Sequence, residues 1–464
     1  MTAVRAVPTF SSTGVLGHLS EFRHAPVDLL VRIARAHPQL ARIRFGVLPL
    51  LVASDPGIVH EILVDKADAF VKSYGLSLFA RPLLGQGLLT LERDQHRKRR
   101  RLLAPPFMPR RIASYAAEIS QRAERSAQRI AGHTHVDVAA ETMNLTLEIV
   151  MKTLFDEEIS EQSGTVGRAF PRALRGIVDS LTSVVPLPPP LPTPANLRLR
   201  RAVRELDAII YRVISEHRQS HTASGDLLSI LLEARDQDDG SALSDRELRD
   251  EAMTMMLAGH ETTANTLAWT LYALARAPEL RARVEAELDE LGASQPQIGP
   301  QHLAALPYTT QVIKESMRMY PAVHMIARRV TRDVQIGPYQ LRRGTVVAIN
   351  IIGIHHRPDL YPDPERFDPE RFSSEREKLL PKQAFLPFSA GPRVCIGNHF
   401  AMMEAQLIVA TWLRQLRFAL LEPEQRVELD AMITLRPKGG LPLRVERRTT
   451  HQPPIAARPA TAAG

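Results

Sequence analysis

No apolar run in this chain approaches the roughly 18 residues that a membrane-spanning helix needs, so no transmembrane segment or membrane anchor is expected. Cysteine occurs once in 464 residues, which excludes an internal disulfide and a built-in cysteine-ligated cluster. Aromatic residues make up only 5%, and no basic run is interleaved with stacking side chains. The net charge of +8 therefore points away from nucleic acid and toward an acidic protein partner. Flavin and nucleotide motifs are absent, and Gly85-Gln86-Gly87 is too short to argue for phosphate binding. Met1 to Pro8 lacks the apolar core of a signal peptide. One cysteine without an export signal fits a reducing compartment, so a cytoplasmic location is expected. No linker-like break divides the chain. One domain is expected over 28–448, after an N-terminal segment 1–27 and before a non-periodic, disordered tail 449–464. The hydrophobic fraction of 44% is ordinary and gives so long a chain a large core.

What the chain does have is a particular setting for its cysteine: Phe388-Ser389-Ala390-Gly391-Pro392-Arg393-Val394-Cys395-Ile396-Gly397. A lone cysteine is a small buried hydrophobe, a reactive thiol or a metal ligand. The neighbours favour the ligand. Gly391 and Gly397 permit φ > 0 and a tight turn whose N–H groups form a nest for an anion. Arg393 adds positive charge, and Phe388 can cover the sulfur. Good helix formers from Asn398 to Leu413 place the cysteine just before a helix, where the dipole stabilises negative charge. The pattern describes a site that holds a thiolate.

Helical periodicity and breakers place the rest of the chain. A helix is expected from Asp28 to about His37, a strand pair at Arg42–Phe45 and Pro49–Ala53, and a helix from Asp55-Pro56 through Val64. Residues 70–90 mix apolar side chains with Gly and Pro and read as a loop that buries apolar surface. His96-Arg97-Lys98-Arg99-Arg100-Arg101 reads mostly as a solvated helix face, although His96 and Arg100 share one side at i,i+4. Helical periodicity dominates from Ser114 to about Phe155 and from Leu197 to about His217, with a stiff proline-rich connection at 184–194 between them. Asn144-Leu145-Thr146 matches a glycosylation acceptor but lacks an export context. The acidic turn 236–240 lacks the ligand spacing of a calcium loop.

A long central helix starts at a capping box, Ser244 with Glu247, and runs to Ala277, where Pro278 stops it. Its middle, Ala258-Gly259-His260-Glu261-Thr262-Thr263, is polar and a poor helix former, which asks for a functional explanation. His260 reads as a pocket-wall or surface histidine. Further on, Glu315 and Arg318 share a helix face. The pentapeptide Asp-Pro-Glu-Arg-Phe occurs twice in succession, at Asp363–Phe367 and Asp368–Phe372. A strand pair is expected at Val334–Ile336 and Thr345–Ile352.

Three of these motifs, in chain order the central-helix motif, the Glu315–Arg318 pair and the cysteine loop, resemble the cytochrome P450 superfamily of haem-thiolate monooxygenases. The cysteine decapeptide matches at Phe388, Gly391, Arg393, Cys395 and Gly397, and the central helix matches at Ala258, Gly259, Glu261 and Thr262. The pair Glu315 and Arg318 is the third match. The resemblance covers about Asp28 to Arg447. It implies a mainly α fold with a small β region, with haem b (iron protoporphyrin IX) between the central helix and the cysteine helix. It implies Cys395 as axial iron ligand, donating electron density that favours O–O cleavage. It implies propionate contacts from Arg393, His96 and Arg100, and from Arg328 with Arg329 as a neighbouring competitor. Arg371, with Arg366 as competitor, would lock Glu315 and Arg318 into a buried network that holds the cysteine loop. Glu261 and Thr262 would manage protons.

The reaction implied is insertion of one oxygen atom of O2 into an apolar fatty acid, terpenoid, steroid or macrocycle. Electrons would come from a separate ferredoxin or flavodoxin with its reductase, landing on Arg97, Lys98, Arg99 and Arg101, and the absence of an anchor looks like a soluble bacterial member. A monomer is expected. A peroxide-driven peroxygenase, a haem-based sensor and a cysteine nucleophile are the alternatives; the first two leave the Glu261–Thr262 pair unexplained. The presumed pocket stretches are 70–90, 253–258, 322–326 and 431–434, mostly apolar.

Overall fold

The computed structural model describes residues 5–12, 14–46, 48–158, 163–220, 226–234, 240, 242–292 and 297–448. The expected tail 449–464 and all but Gly240 of the acidic turn lie outside them. The chain is mainly α, about 58% helical, with a small β region. Residues Leu40–Phe45, Leu48–Ala53, Val346–Ile349, Ile326–Val330 and Phe70–Lys72 form, in that spatial order, a five-stranded sheet. The expected strand pair closes around Gly46 in antiparallel register, Ile43 opposite Leu50. Val334–Ile336 instead pairs with Tyr339–Leu341 across the turn at Gly337, and Val346–Ile349 joins the large sheet. The first residues are bound to this region by bridges from Arg5 to Tyr339 and Thr9 to Arg42.

The capping box is present: Ser244 N donates to Glu247 at 3.0 Å, and Glu247 N donates to the Ser244 hydroxyl at 3.4 Å. The helix it opens, Asp245–Arg276, has 32 residues and spans about 48 Å. It is buried over most of its length because other helices surround it, as its weak amphipathicity foretells. Toward its end, Leu267, Leu271 and Leu274 join one core with the cysteine helix Asn398–Gln415. Toward its start, Met253, Met256 and Leu257 join another, with helices Val138–Phe155, Ser163–Leu181 and Pro194–Ser220.

Two sequence expectations need correction. The periodic stretch 114–155 is two helices, Pro109–Ile130 and Val138–Phe155, separated by strand His135–Asp137. Gly132 interrupts the pattern, and Asp137 caps the second helix by accepting from Ala139 N at 3.1 Å. Residues 70–90 are also more ordered than a loop: strand Phe70–Lys72, a wide helical turn Gly75–Phe79 and a short helix Arg81–Leu84. The proline-rich connection does join two long helices, and Val184 and Val185 on it are exposed. Among the described residues no helix is long and apolar enough to cross a membrane.

Candidate active site

The cysteine loop is shaped by one glycine more than by two. Gly391 has φ +68°, and a Cβ there would lie 1.9 Å from the Leu63 carbonyl oxygen, so only glycine fits. Gly397 has an ordinary φ of −95°. Its part is the backbone N–H it turns toward the Cys395 sulfur. Cys395 N donates to Phe388 O at 2.9 Å and closes the loop, while the Phe388 ring packs on the core.

The sulfur is accessible, yet protein hems it closely enough that burial pushes the thiol up. The Gly397 N–H and Arg100 pull the other way and do not prevail. Without a cation at sulfur, burial favours the thiol; a cation there is what would hold the expected thiolate.

Four cations gather beside this loop. Arg100, on the helix Arg93–Leu103, donates to Val394 O at 2.7 Å. Arg393 donates to Leu91 O at 2.6 Å and pairs with Glu92. Arg328 faces Arg393 and is pulled down to about 10 by burial first and by that neighbour second. Lys72 sits opposite Arg328 in the antiparallel strand pair, donates to Leu89 O, and is lowered well below the ordinary lysine range by burial. His96 is buried among them and held neutral, down to about 3, by burial first and then by Arg393, Lys72 and Arg100. Among the described residues, Glu92 is the carboxylate that acts on this group. Like charges directly opposite on a sheet destabilise it. A buried group this rich in cations is suited to an anion of more than one charge. Strand alternation separates the two adjacent arginines: Arg328 turns to the cluster and Arg329 stacks on Tyr74 at 4.8 Å. Lys72 was not visible as a site residue in the sequence, because only the pairing of distant strands brings it to Arg328.

The anchoring network is fully assembled. Arg318 donates from Nε and Nη2 to the two Glu315 oxygens at 2.7 and 2.8 Å, both side chains being fully buried. Arg371 Nε lies 3.4 Å from Glu315, and its Nη2 donates to Asp363 O at 2.8 Å. The competing Arg366 is exposed and contributes only its carbonyl. His355, which the sequence did not single out, extends the network. Arg318 Nη1 donates to His355 O at 2.8 Å, the His355 Nδ1 sits 3.1 Å from Arg318 O, and Leu386 N donates to Nε2 at 3.0 Å. Burial holds this ring neutral, so Nδ1 carries the proton and Nε2 accepts. The link ends nine residues before Cys395.

Between Leu248 and Ala275 the central helix is buried except at Ala258, which is exposed, and at Gly259 and Thr262, which are half-buried. Ala258 and Thr262 are i,i+4, so this is one open window on one face. The Thr262 hydroxyl donates to Ala258 O at 2.7 Å, and the helix continues unbroken through the motif. A Cβ on Gly259 would lie 2.8 Å from Val150 Cγ2, so this glycine serves close packing of helix Val138–Phe155. His260 is buried against Phe170, with Nδ1 2.5 Å from Met256 O, and is not a surface residue. Glu261 is buried and accepts from the Thr434 hydroxyl at 2.5 Å; its Oε2 has no partner among the described residues. Thr263, next to Thr262, faces Glu404 of the cysteine helix, whose carboxyl burial pushes up to about 8.

Three of the four apolar pocket stretches meet in one cluster: Phe79, Leu83, Leu84 and Leu88 with Met253, Met256, Leu257, Met432 and Ile433. Phe170, Leu174 and Ile177 from helix Ser163–Leu181 complete it, a helix the periodicity did not reveal. The stretch 322–326 divides: Ala322 O accepts from Leu435 N at 2.9 Å, whereas Ile326 packs in the sheet core.

The basic run also needs correction. Arg99 is not solvent-facing but buried, paired with Glu247 at 2.7 Å and Glu251 at 2.8 Å. It ties the basic helix to the central one, which leaves Arg97 and Arg101 as exposed members.

Comparison with known proteins bears directly on this arrangement. The family model described as Cytochrome P450 matches residues 7–443. A pentalenene oxygenase of Streptomyces avermitilis is 33% identical over 457 residues, 97% of this chain and 98% of that protein. A cyclooctat-9-en-7-ol 5-monooxygenase of Streptomyces melanosporofaciens is 35% identical over 407 residues, 86% of each chain. The crystal structure of the cytochrome P450DA heme domain superposes with a TM-score of 0.85 at 28% identity, covering 96% of this chain and 99% of that one.

Proposed function

This chain belongs to the cytochrome P450 family as a haem-dependent monooxygenase, and we propose that it oxidises an apolar terpenoid with electrons from a separate ferredoxin or flavodoxin and its reductase. The observation that carries the haem assignment is the pairing of an accessible lone cysteine with four neighbouring cations served by one carboxylate. Haem b offers an iron for the sulfur and two propionates for those cations. In this reading Cys395 would bind the haem iron through its sulfur. Arg100, Arg328, Arg393 and Lys72 would hold the propionates, with neutral His96 as a further donor. Phe388 and Gly397 shape the loop, and Ala258 lets the ring approach the central helix. Bound haem would supply the oxygen chemistry, activation of O2 so that one oxygen atom enters the substrate and the other leaves as water.

The remaining work falls to this chain's own side chains. Protons must reach a pocket whose walls, Leu83, Met253, Met256 and Met432 among them, cannot supply any. Thr262, half-open beside Ala258, is the hydroxyl placed to pass them on, and Glu261 is the acid that replenishes it. The Glu315–Arg318–Arg371 network holds the cysteine loop and takes no part in the chemistry.

The substrate class rests on the apolar wall and on two relatives whose names specify a terpene hydrocarbon and a terpene alcohol. Spectral titration of the purified haem protein with polycyclic terpenes, terpene alcohols and fatty acids of equal carbon number tests it. Terpenoids should displace water from the iron, seen as a high-spin shift, at at least tenfold lower concentration than the fatty acids. The reverse order would replace terpenoid with fatty acid.

A further inference from the structure

The strands Leu429–Ala431 and Leu435–Pro437 form an antiparallel hairpin with Asp430 directly opposite Arg436. Opposed residues share a face of such a pair. The hairpin lies along one stripe of the central helix: Glu261, Asn265 and Trp269 are spaced i, i+4, i+8. Trp269 Nε1 donates to Leu435 O at 3.1 Å, and the Thr434 hydroxyl donates to Glu261 Oε1 at 2.5 Å. Arg436 Nη2 stands 3.8 Å from the same oxygen, and its Nε stands 3.8 Å from Asp430 Oδ2. Asp430 pairs in turn with Arg175 of helix Ser163–Leu181 at 2.9 Å, and Arg175 is half-exposed. A line of polar contacts thus runs from the surface to an acid beside Thr262.

We infer that Thr434 and Arg436 are the positioning residues of Glu261, and that Asp430 and Arg175 connect that setting to helix Ser163–Leu181. This rests on the reading of Glu261 as the acid that moves protons. Burial alone would keep the carboxyl protonated and unable to cycle. The Thr434 donor and the Arg436 cation favour the carboxylate, while Asp430 opposes it. The hydrogen bond fixes one oxygen and leaves Oε2, which has no partner among the described residues, to take and give the proton. Sequence reading stopped at the acid and its neighbouring threonine, because Thr434 lies 173 residues away.

The experiment measures product formed per O2 consumed from pH 6 to 9 in Thr434→Val, Thr434→Ser, Arg436→Gln and Glu261→Gln. Haem content and substrate binding are recorded for each. Thr434→Val should lose coupling severalfold while keeping haem and substrate binding, and Thr434→Ser should restore it. Arg436→Gln should move the pH profile of coupling to higher pH, because a carboxyl without its cation gives up its proton less readily. An infrared carboxyl band identified by its absence in Glu261→Gln should move in Thr434→Val. Wild-type coupling, pH profile and carboxyl band in both Thr434→Val and Arg436→Gln, with Glu261→Gln impaired, would overturn the positioning role and leave the relay. Wild-type coupling in Glu261→Gln would overturn the relay itself, and the positioning role with it.

Discussion

On the cysteine side, Arg318 uses Nε, Nη1 and Nη2 in hydrogen bonds at 2.7, 2.8 and 2.8 Å, and His355 bonds through both ring nitrogens. Along the central helix, Glu261 Oε2 and Asn265 Nδ2 are buried without partners among the described residues, and the buried Glu404 carboxyl of the cysteine helix faces its Thr263. Arg318 and His355 are thus well satisfied, although Arg371 Nε and Ser389 Oγ nearby are not; a satisfied polar network is rigid, whereas unsatisfied groups cost stability and mark where water or protons can be handled. In the proposed function the first region holds the cysteine loop in place. The second is kept adjustable, and that suits proton transfer.

The largest break in this comparison is expected on the rigid side. Arg318→Leu leaves Glu315 buried and without its principal partner, an error worth about 3–5 kcal/mol. The variant should fail to accumulate as a haem-loaded protein, judged by the haem-to-protein absorbance ratio and the melting temperature. A variant that loads haem and melts like wild type would show that the network is dispensable.

On the adjustable side the cost should depend on pH. The Glu404 carboxyl rises from an ordinary 4.5 to about 8 on folding. The stability it allows is therefore complete below about pH 4.5 and is lost as pH rises through 8, by at most about 1.4 kcal/mol per pH unit. Glu404→Gln should flatten the fall in melting temperature between pH 5 and 8, without abolishing it, since buried Glu251 is also pushed up, to about 7. An unchanged slope would mean that Glu404 is ionised and solvated.

Thr262 decides whether the window is chemical or merely a bend. Its hydroxyl already bonds Ala258 O, so a purely structural role has an observation behind it. If the hydroxyl passes protons, Thr262→Ala should still consume reductant but release peroxide, with severalfold less product per O2, and Thr262→Ser should largely retain coupling. Undiminished coupling in Thr262→Ala would leave only the structural role.

The smallest effect belongs to the surface. Arg97→Glu and Arg101→Glu should change the melting temperature little, since exposed substitutions stay within about ±0.5 kcal/mol. They should slow reduction by an acidic partner, and the slowing should fade as salt shortens the Debye length below about 10 Å. Rates indifferent to both charge and salt would place the docking surface elsewhere.

The same contrast explains what the sequence disclosed. Residues that meet within one motif were legible: the Ser244–Glu247 cap, the Glu315–Arg318 pair and the cysteine loop all depend on spacings of a few residues. Residues that meet only through tertiary packing were not. Lys72 needs strand pairing to reach Arg328, His355 needs Leu386, and Thr434 needs the hairpin laid along Glu261 and Trp269. Charge patterning misled at Arg99, because a buried ion pair and a solvated face look alike in a basic run. Glycine misled at Gly397, where a backbone donor and not a positive φ is what the position supplies.

Cys395 is proposed to hold the iron of haem as a thiolate. The most direct test is the absorption spectrum of the reduced, carbon monoxide-bound protein. Wild type should show the strongly red-shifted Soret band that thiolate donation produces, and Cys395→Ser and Cys395→His should lose it. A wild-type Soret band at the position seen in histidine-ligated globins would contradict the account.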